Sequence, residues 1–467
     1  MQIRGLALVV ALGACSAIGG NNSALSKALT GDDALQGFWQ SDAYGEVIEV
    51  NGNALNVYEV TSQTCLKSSV GKEQLMEYFT AYEVSETDQL LELFDPVEPY
   101  RYKFRKITDL PQSCSAPVKN TIEDNFNVFT SSFGDYYPFF ELYGVNWEDE
   151  VATARSALSP DMTELEFFRL TRKMIGGLKD AHINYVAKID GEREIWDGDL
   201  GKTEDALFRR AVAAGLNPFK ERNKYRAKYW YEDLQKTLHD GEGVIAGDNS
   251  LQYGIISEDI GVISVLTMGG YIEKPEETEL GVLHSVLDDA LALFEARDVK
   301  AVIVNVAMNY GGYDYVGREL ASRFAENEVQ AYSKVSANDP TAEPFSYSIR
   351  PYDGARFTGP VYLLTSDVSV SAAEITTMSF RALPNVTHIG ETTRGALSDV
   401  FSRTLPNGWE FTLSTEIYRD HEGKLWEGKG IPPETEIPIF NIDDPQKGFL
   451  EAMETLIALI DEADEDQ

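Results

Sequence analysis

Between Ile260 and Gly390 the chain alternates short apolar runs with stretches of helical pattern, and no other feature limits its possible folds so tightly. Strands are expected at Ile260–Leu266, Val299–Val306, Val361–Thr365 and Val386–Gly390, and helices at Glu279–Ala296, at Tyr315–Ala325 and from Ser371 onward. In the first helix Leu280, Leu283, Leu287, Leu291 and Phe294 share one stripe, the 3.6-residue period of a helix packed on a core. Strands and helices in alternation predict a layered α/β core. Its last third, Gly359–Gly395, reads GPVYLLTSDVSVSAAEITTMSFRALPNVTHIGETTRG. Here a strand crosses a polar turn into a helix that begins at Ser371. Ser371-Ala-Ala-Glu374 has the spacing of a capping box. A serine at such a turn can also present its hydroxyl to a cleft, where free N–H groups and the positive end of the helix stabilise an oxyanion. The two readings are compatible, so a nucleophile here requires a base and a second oxyanion donor elsewhere.

The remaining organisation follows from shifts in pattern. Residues 1–15 have an arginine and a short apolar run and are expected to form a signal peptide; residues 16–34 are small and polar and read as a tether. Leu12-Gly-Ala-Cys15 resembles the bacterial lipobox, which implies that Cys15 is lipidated and that the protein is exported and lipid-anchored to a bacterial envelope membrane, at the periplasmic face or cell surface. Residues 35–115 carry short alternating strands with a hairpin signal at Asn51-Gly52 and predict a small β-rich domain. In an oxidising compartment Cys65 and Cys114 could pair as a disulfide or remain two free thiols. Residues 116–187 turn helical and dense in phenylalanine, 188–257 form an insert of uncertain fold, 258–440 hold the α/β core, and 441–467 a helix and acidic tail. Within the insert, the basic and aromatic run Lys220–Tyr231 is read as a solvated helix face. A net charge of −36 excludes nucleic acid as a natural partner, because phosphate neutralisation needs a basic surface.

Serine needs a base, and histidine is the usual one. The chain has five histidines. His284 lies within a helix, His388 in an apolar strand, His421 in a hairpin turn and His239 in a polar loop. His182 sits where a long helix, expected to end near Gly176-Gly177, hands over to an extended segment, a position from which a side chain can face a cleft.

With these residues in view, the pattern TSxxSxSAAE followed by IGExTxG resembles the tail-specific (C-terminal processing) and tricorn-like serine peptidases. The resemblance implies that Ser371 is the nucleophile. Tail-specific members place a basic lysine after the last glycine of TxGKG. Here that segment is Thr393-Arg-Gly395-Ala396, so the resemblance is to the branch with a histidine base. Leu178-Lys-Asp180-Ala-His182 is similar to the LxDxH element, which implies His182 as general base and Asp180 as a structural or orienting residue. Glu427, before Gly428-Lys-Gly-Ile-Pro-Pro433, matches the carboxylate of the tricorn branch and is expected to orient His182; Lys429 is a substitute base to be tested. Ala307-Met-Asn309-Tyr-Gly311-Gly312 is similar to the family's DxRxNxGG, which implies an oxyanion hole from the N–H of Gly311 or Gly312 with that of Ala372. Asn305 and Ala307 replace the usual aspartate and arginine.

The fold implied is a Clp protease–crotonase-like core of ββα units, with a helical subdomain and a small β-rich domain before it. The function implied is a serine peptidase, endopeptidase or tail-specific-like, that hydrolyses peptide bonds through an acyl-enzyme, with a peptide or protein substrate and no cofactor or metal. A non-catalytic protein binding an apolar ligand or peptide on the same fold is the alternative, and a crotonase-type acyl-CoA enzyme a third. Oligomeric state is not legible.

Overall fold

The computed structural model describes residues 29–465 apart from 69–71, 73, 74, 76, 77, 86, 240–242, 340, 341, 442 and 444–447. The signal peptide, Cys15 and residues 16–28 of the tether lie outside the described residues. The fold is mixed α/β with a β-rich N-terminal region, and it divides into two compact units. Of the described residues, those up to 198 with 335–345 and 398–417 form the first, and 199–334, 346–397 and those from 418 onward the second.

In the first unit, alternation of apolar and polar residues builds a seven-stranded sheet. Its order is Cys65–Lys67, Ala54–Val60, Glu46–Asn51, Gly37–Ser41, Tyr102–Ile107, Leu90–Phe94, Ala81–Val84, and every neighbouring pair is antiparallel. One face buries Trp39, Ile48, Val50, Leu91, Leu93 and Phe104, as a period of two requires. Trp39 is core: its Nε1 donates to the Leu35 carbonyl at 2.7 Å. Cys65 and Cys114 are joined as a disulfide, with Cα atoms 4.8 Å apart.

The phenylalanine-rich stretch forms helices Ile122–Tyr136, Trp147–Ala157 and Glu164–Ile175, the last opened by a Thr163/Glu166 capping box. They share a core with a four-stranded sheet ordered Val400–Thr404, Glu410–Ser414, Asn184–Ile189, Glu192–Asp197. Phe133 stacks on Phe411 at 5.5 Å, and Phe168 on Tyr185 at 5.0 Å. Each such ring contributes roughly 1.5–3 kcal/mol on burial. The hairpin turning at Asn407-Gly408 therefore belongs with these helices, whereas the sequence boundary at 258–440 places it in the α/β core. Its inward residues Trp409, Phe411 and Leu413 complete an aromatic core that the helices begin.

The second unit holds a sheet ordered Val244–Ala246, Leu251–Ile256, Ile260–Val265, Ala301–Asn305, Val361–Thr365, Val386–Gly390, Thr435–Glu436. From Ile260–Val265 onward all pairings are parallel. These strands are almost wholly apolar because a parallel sheet is covered on both faces. Helices Glu279–Ala296, Asp314–Ser322 and Ala372–Arg381 connect them.

One sequence expectation is corrected here. The run Lys220–Tyr231 is not a solvated face: it lies on helix Pro218–Lys228 and a π-helical turn Tyr229–Asp233, and Arg222, Tyr225, Tyr229 and Trp230 are buried. The three aromatics join Phe440 and Phe449 in the core of the second unit. The high charge of the run conceals a buried stripe at 222, 225 and 229, because Lys224, Arg226 and Lys228 are interleaved with it. Among the described residues no helix is long and apolar enough to cross a membrane.

The disulfide closes a loop of 49 residues in sequence, which the chain-entropy account values at up to about 4 kcal/mol. Replacing Cys65 and Cys114 by serine is expected to lower the urea midpoint of the N-terminal sheet accordingly. An unchanged midpoint would mean that the loop is already ordered without the bond.

Candidate active site

Strands Ala301–Asn305 and Val361–Thr365 run parallel and end side by side, and the loops leaving them are laced together. Ser369 Oγ donates to the Val306 carbonyl at 2.8 Å, Ser366 Oγ to that of Ala307 at 2.5 Å, and the Val370 N–H to that of Asn309 at 3.2 Å. The second loop ends at Ser371, whose φ of 62° and ψ of −130° are unusual for any residue with a side chain. Such a conformation costs of order 1–3 kcal/mol and persists only where its surroundings fix it. Here the Ser371 N–H donates to the Ala396 carbonyl at 3.0 Å and reaches a Glu374 oxygen at 3.3 Å, while the Glu374 N–H donates to the Ser371 carbonyl at 2.7 Å.

Glu374 does far more than close a capping box. Fully buried, it accepts from Thr393 Oγ1 at 2.6 Å, the Gly395 N–H at 2.7 Å and the Ala396 N–H at 2.8 Å. Burial pushes its carboxyl up to about 7, against the pull of these hydrogen bonds. The segment Thr393–Leu397 is thereby pinned to the start of the helix, and its other side is held by the 426–431 loop. Gly428 N–H donates to the Gly395 carbonyl at 2.7 Å, Ile431 N–H to Thr393 Oγ1 at 2.8 Å, and Leu397 N–H to Glu427 Oε2 at 3.0 Å. Glu427 is buried, not a solvent-facing turn residue. Lys429, two residues on, is exposed.

Facing Ser371 is the turn Asn309–Gly312. Gly311, at φ +91°, lies so close that an added Cβ would stand 2.6 Å from the Ser371 Cβ and 2.9 Å from the Val370 carbonyl oxygen. Its amide donates to Asn309 Oδ1 at 2.8 Å and is therefore committed. The N–H groups of Gly312 and Ala372 meet no acceptor among the described residues. Of the two glycines named from the sequence, Gly312 thus retains the available donor. Asn309 was legible only as a letter in the motif. Its side chain also donates to the Val265 carbonyl at 2.9 Å, so it fixes the whole turn.

The departures at 305 and 307 have a structural explanation. Asn305 Nδ2 donates to Tyr229 Oη at 2.8 Å and to Ser264 Oγ at 3.1 Å, and its Oδ1 accepts the Ala307 N–H at 3.1 Å. A neutral amide supplies here both donor and acceptor, so the buried loop needs neither aspartate nor arginine.

His182 and Asp180 belong to the first unit. Asp180 is fully buried and accepts the His182 N–H at 2.8 Å, Ser414 Oγ at 2.8 Å and Tyr137 Oη at 3.0 Å. Thr412 Oγ1 donates to the His182 carbonyl at 2.6 Å. Asp180 thus sets the backbone of the turn that carries His182. Among the other histidines, His388 is buried against Thr365 Oγ1 at 2.7 Å, and burial holds it down at about 3, so it is a neutral structural residue. His284 stacks on Tyr352 at 4.7 Å.

Gly311→Ala is expected to leave the protein folded but abolish reactivity at Ser371, since the methyl group and Ser371 Cβ cannot both keep their places. Unaltered labelling of Ser371 by a fluorophosphonate in this variant would contradict the geometry.

Residues 259–437 match the model of Peptidase family S41. The structure resembles that of a candidate peptidase from Parabacteroides merdae ATCC 43184, with 25% identity, 73% of this chain and 97% of that one covered, and a TM-score of 0.57. It also resembles mature CPAF complexed with lactacystin, at 12% identity, coverage of 75% and 100%, and a TM-score of 0.53, a likeness of fold alone. Over residues 259–437 the chain is thus similar to Peptidase family S41.

Proposed function

We propose that the protein hydrolyses peptide bonds through an acyl-enzyme on Ser371, with His182 as general base and Glu427 orienting the imidazole. The observation that carries this reading is Ser371 itself. A strained serine at a helix start, beside two amides open at Gly312 and Ala372, is the arrangement that acyl transfer requires. As Ser371 Oγ bonds to the substrate carbonyl carbon, its proton passes to His182 and the carbonyl oxygen becomes an oxyanion held by the two amides. Collapse breaks the C–N bond, and the imidazolium returns the proton to the leaving amine. Water then repeats the sequence on the ester and frees Ser371. Support for His182 and Glu427 comes from the LxDxH element and from the carboxylate before Gly428-Lys-Gly-Ile-Pro. Asn305 and Ala307, the departures that would favour a non-catalytic binder, are accounted for by hydrogen bonding in the loop.

In the same reading Cys15 is lipidated and tethers the exported enzyme to an envelope membrane, where its substrates are peptides or proteins. The support is Leu12-Gly-Ala-Cys15 after a short apolar run.

A fluorophosphonate is expected to label the wild type and not Ser371→Ala, and His182→Ala to label at least about 10³-fold more slowly with its melting curve unchanged. Equal labelling of wild type and Ser371→Ala would refute the nucleophile. For the anchor, Cys15→Ser should move the protein from the membrane fraction to the soluble one, and retention in the membrane would exclude a lipid on Cys15.

A further inference from the structure

Helix Gly201–Ala213 lies outside the matched residues 259–437, yet its first turn reaches all three loops that frame Ser371. The first contact is to the loop that leads into Ser371. Asp367, four residues before the serine, accepts the Thr203 N–H at 2.7 Å and Thr203 Oγ1 at 2.6 Å. Leu200 offers this helix no side-chain cap, so a carboxylate from the nucleophile loop serves instead, at the end of the helix where negative charge is favoured. The approach is close enough to demand glycine: at Gly201, φ +71°, a Cβ would stand 2.8 Å from the Asp367 carbonyl oxygen and 3.0 Å from Arg394 Nε.

The other two contacts run through Glu204, which is almost fully buried. Its Oε1 accepts Tyr310 Oη at 2.6 Å, and Tyr310 immediately precedes Gly311 and Gly312. Its Oε2 lies 3.5 Å from Arg394 Nη2. Arg394 leads into Gly395-Ala396, whose Ala396 carbonyl holds the Ser371 N–H. Arg394 closes the ring by donating from Nε to the Asp367 carbonyl at 3.0 Å and from its backbone N–H to that of Ser369 at 3.0 Å. Arg222, also buried, stands 3.8 Å from Glu204, and Arg226 lies over the Tyr310 ring at 4.3 Å. Burying ions in this way is a poor device for stability, since apolar residues of similar volume often serve as well or better. Its distinguishing property is direction: one carboxylate fixes the oxyanion turn and the Thr393–Leu397 segment relative to each other. Acyl transfer is sensitive to placement at that scale, where about 1 Å can cost 100-fold.

We propose that the first turn of helix Gly201–Ala213 is a strut for the catalytic centre, and that Glu204 and Tyr310 are positioning residues for the acylation of Ser371. The proposal rests on the acyl-enzyme reading above. Fluorophosphonate inactivation measured over a range of probe concentrations separates the maximal rate from half-saturation. Glu204→Gln and Tyr310→Phe are each expected to lower the maximal rate about 10- to 100-fold with half-saturation unchanged. Because Tyr310 acts through Glu204, the double variant should be slowed by less than the product of the two single effects. Glu204→Gln leaves two buried arginines short of a counter-charge and could fail to fold. Tyr310→Phe removes a single hydroxyl and decides the matter if so. A folded Tyr310→Phe that is inactivated at the wild-type rate would overturn the strut while leaving the peptidase reading intact. A wild type labelled no faster than Ser371→Ala would overturn the peptidase reading, and the strut with it.

Discussion

A single buried carboxylate holds the site together. Glu374 takes hydrogen bonds from Ser371, Thr393, Gly395 and Ala396, so the start of the helix and the segment that supports the serine backbone share one acceptor. A carboxylate has about four lone-pair directions, and all four are used. A neutral side chain at this position could not accept as many donors. The backbone of Ser371 is unfavourable on its own, and the energy that maintains it must come from contacts of this kind. Glu427 and Gly428 extend the frame outward on the far side of the same segment.

Much of this frame could be read from sequence, for identifiable reasons. The parallel strands are near-continuous apolar runs bounded by turns, and the hairpin at Asn407-Gly408 carries its own signal. Ser371 and Glu374 announced a helix start by spacing alone. The wider role of Glu374 was not legible, because three of its four donors lie 19 to 22 residues away in a loop with no periodicity. Asn309 and Gly311 were visible as a motif, yet only the fold shows that Asn309 occupies the amide of Gly311 and leaves that of Gly312 available.

The insert is where sequence reasoning fell furthest short. Its lysines and arginines suggested a solvated surface, and nothing local marks Glu204 or Arg222 as buried. The burial of Glu204 depends on Tyr310 and Arg394, more than 100 positions downstream, which supply the hydroxyl and the opposite charge. Asn305 has the same character. Its replacement of an expected aspartate looks like a loss of function in isolation, but it pairs with Tyr229 contributed by the insert. Insert and core loops in this protein thus complement each other residue by residue.

The central claim is that Ser371 bonds covalently to a carbonyl carbon while two amides and an imidazole attend the reacting atoms. A crystal structure of the protein treated with a peptide boronate tests it most directly. The account expects a boron–oxygen bond to Ser371 Oγ, one boronate oxygen within about 3 Å of the Gly312 and Ala372 nitrogens, and the His182 imidazole in hydrogen-bond contact with the adduct. A boronate bound elsewhere, or attached to Ser371 with its oxygens turned to solvent and His182 remote, would contradict it.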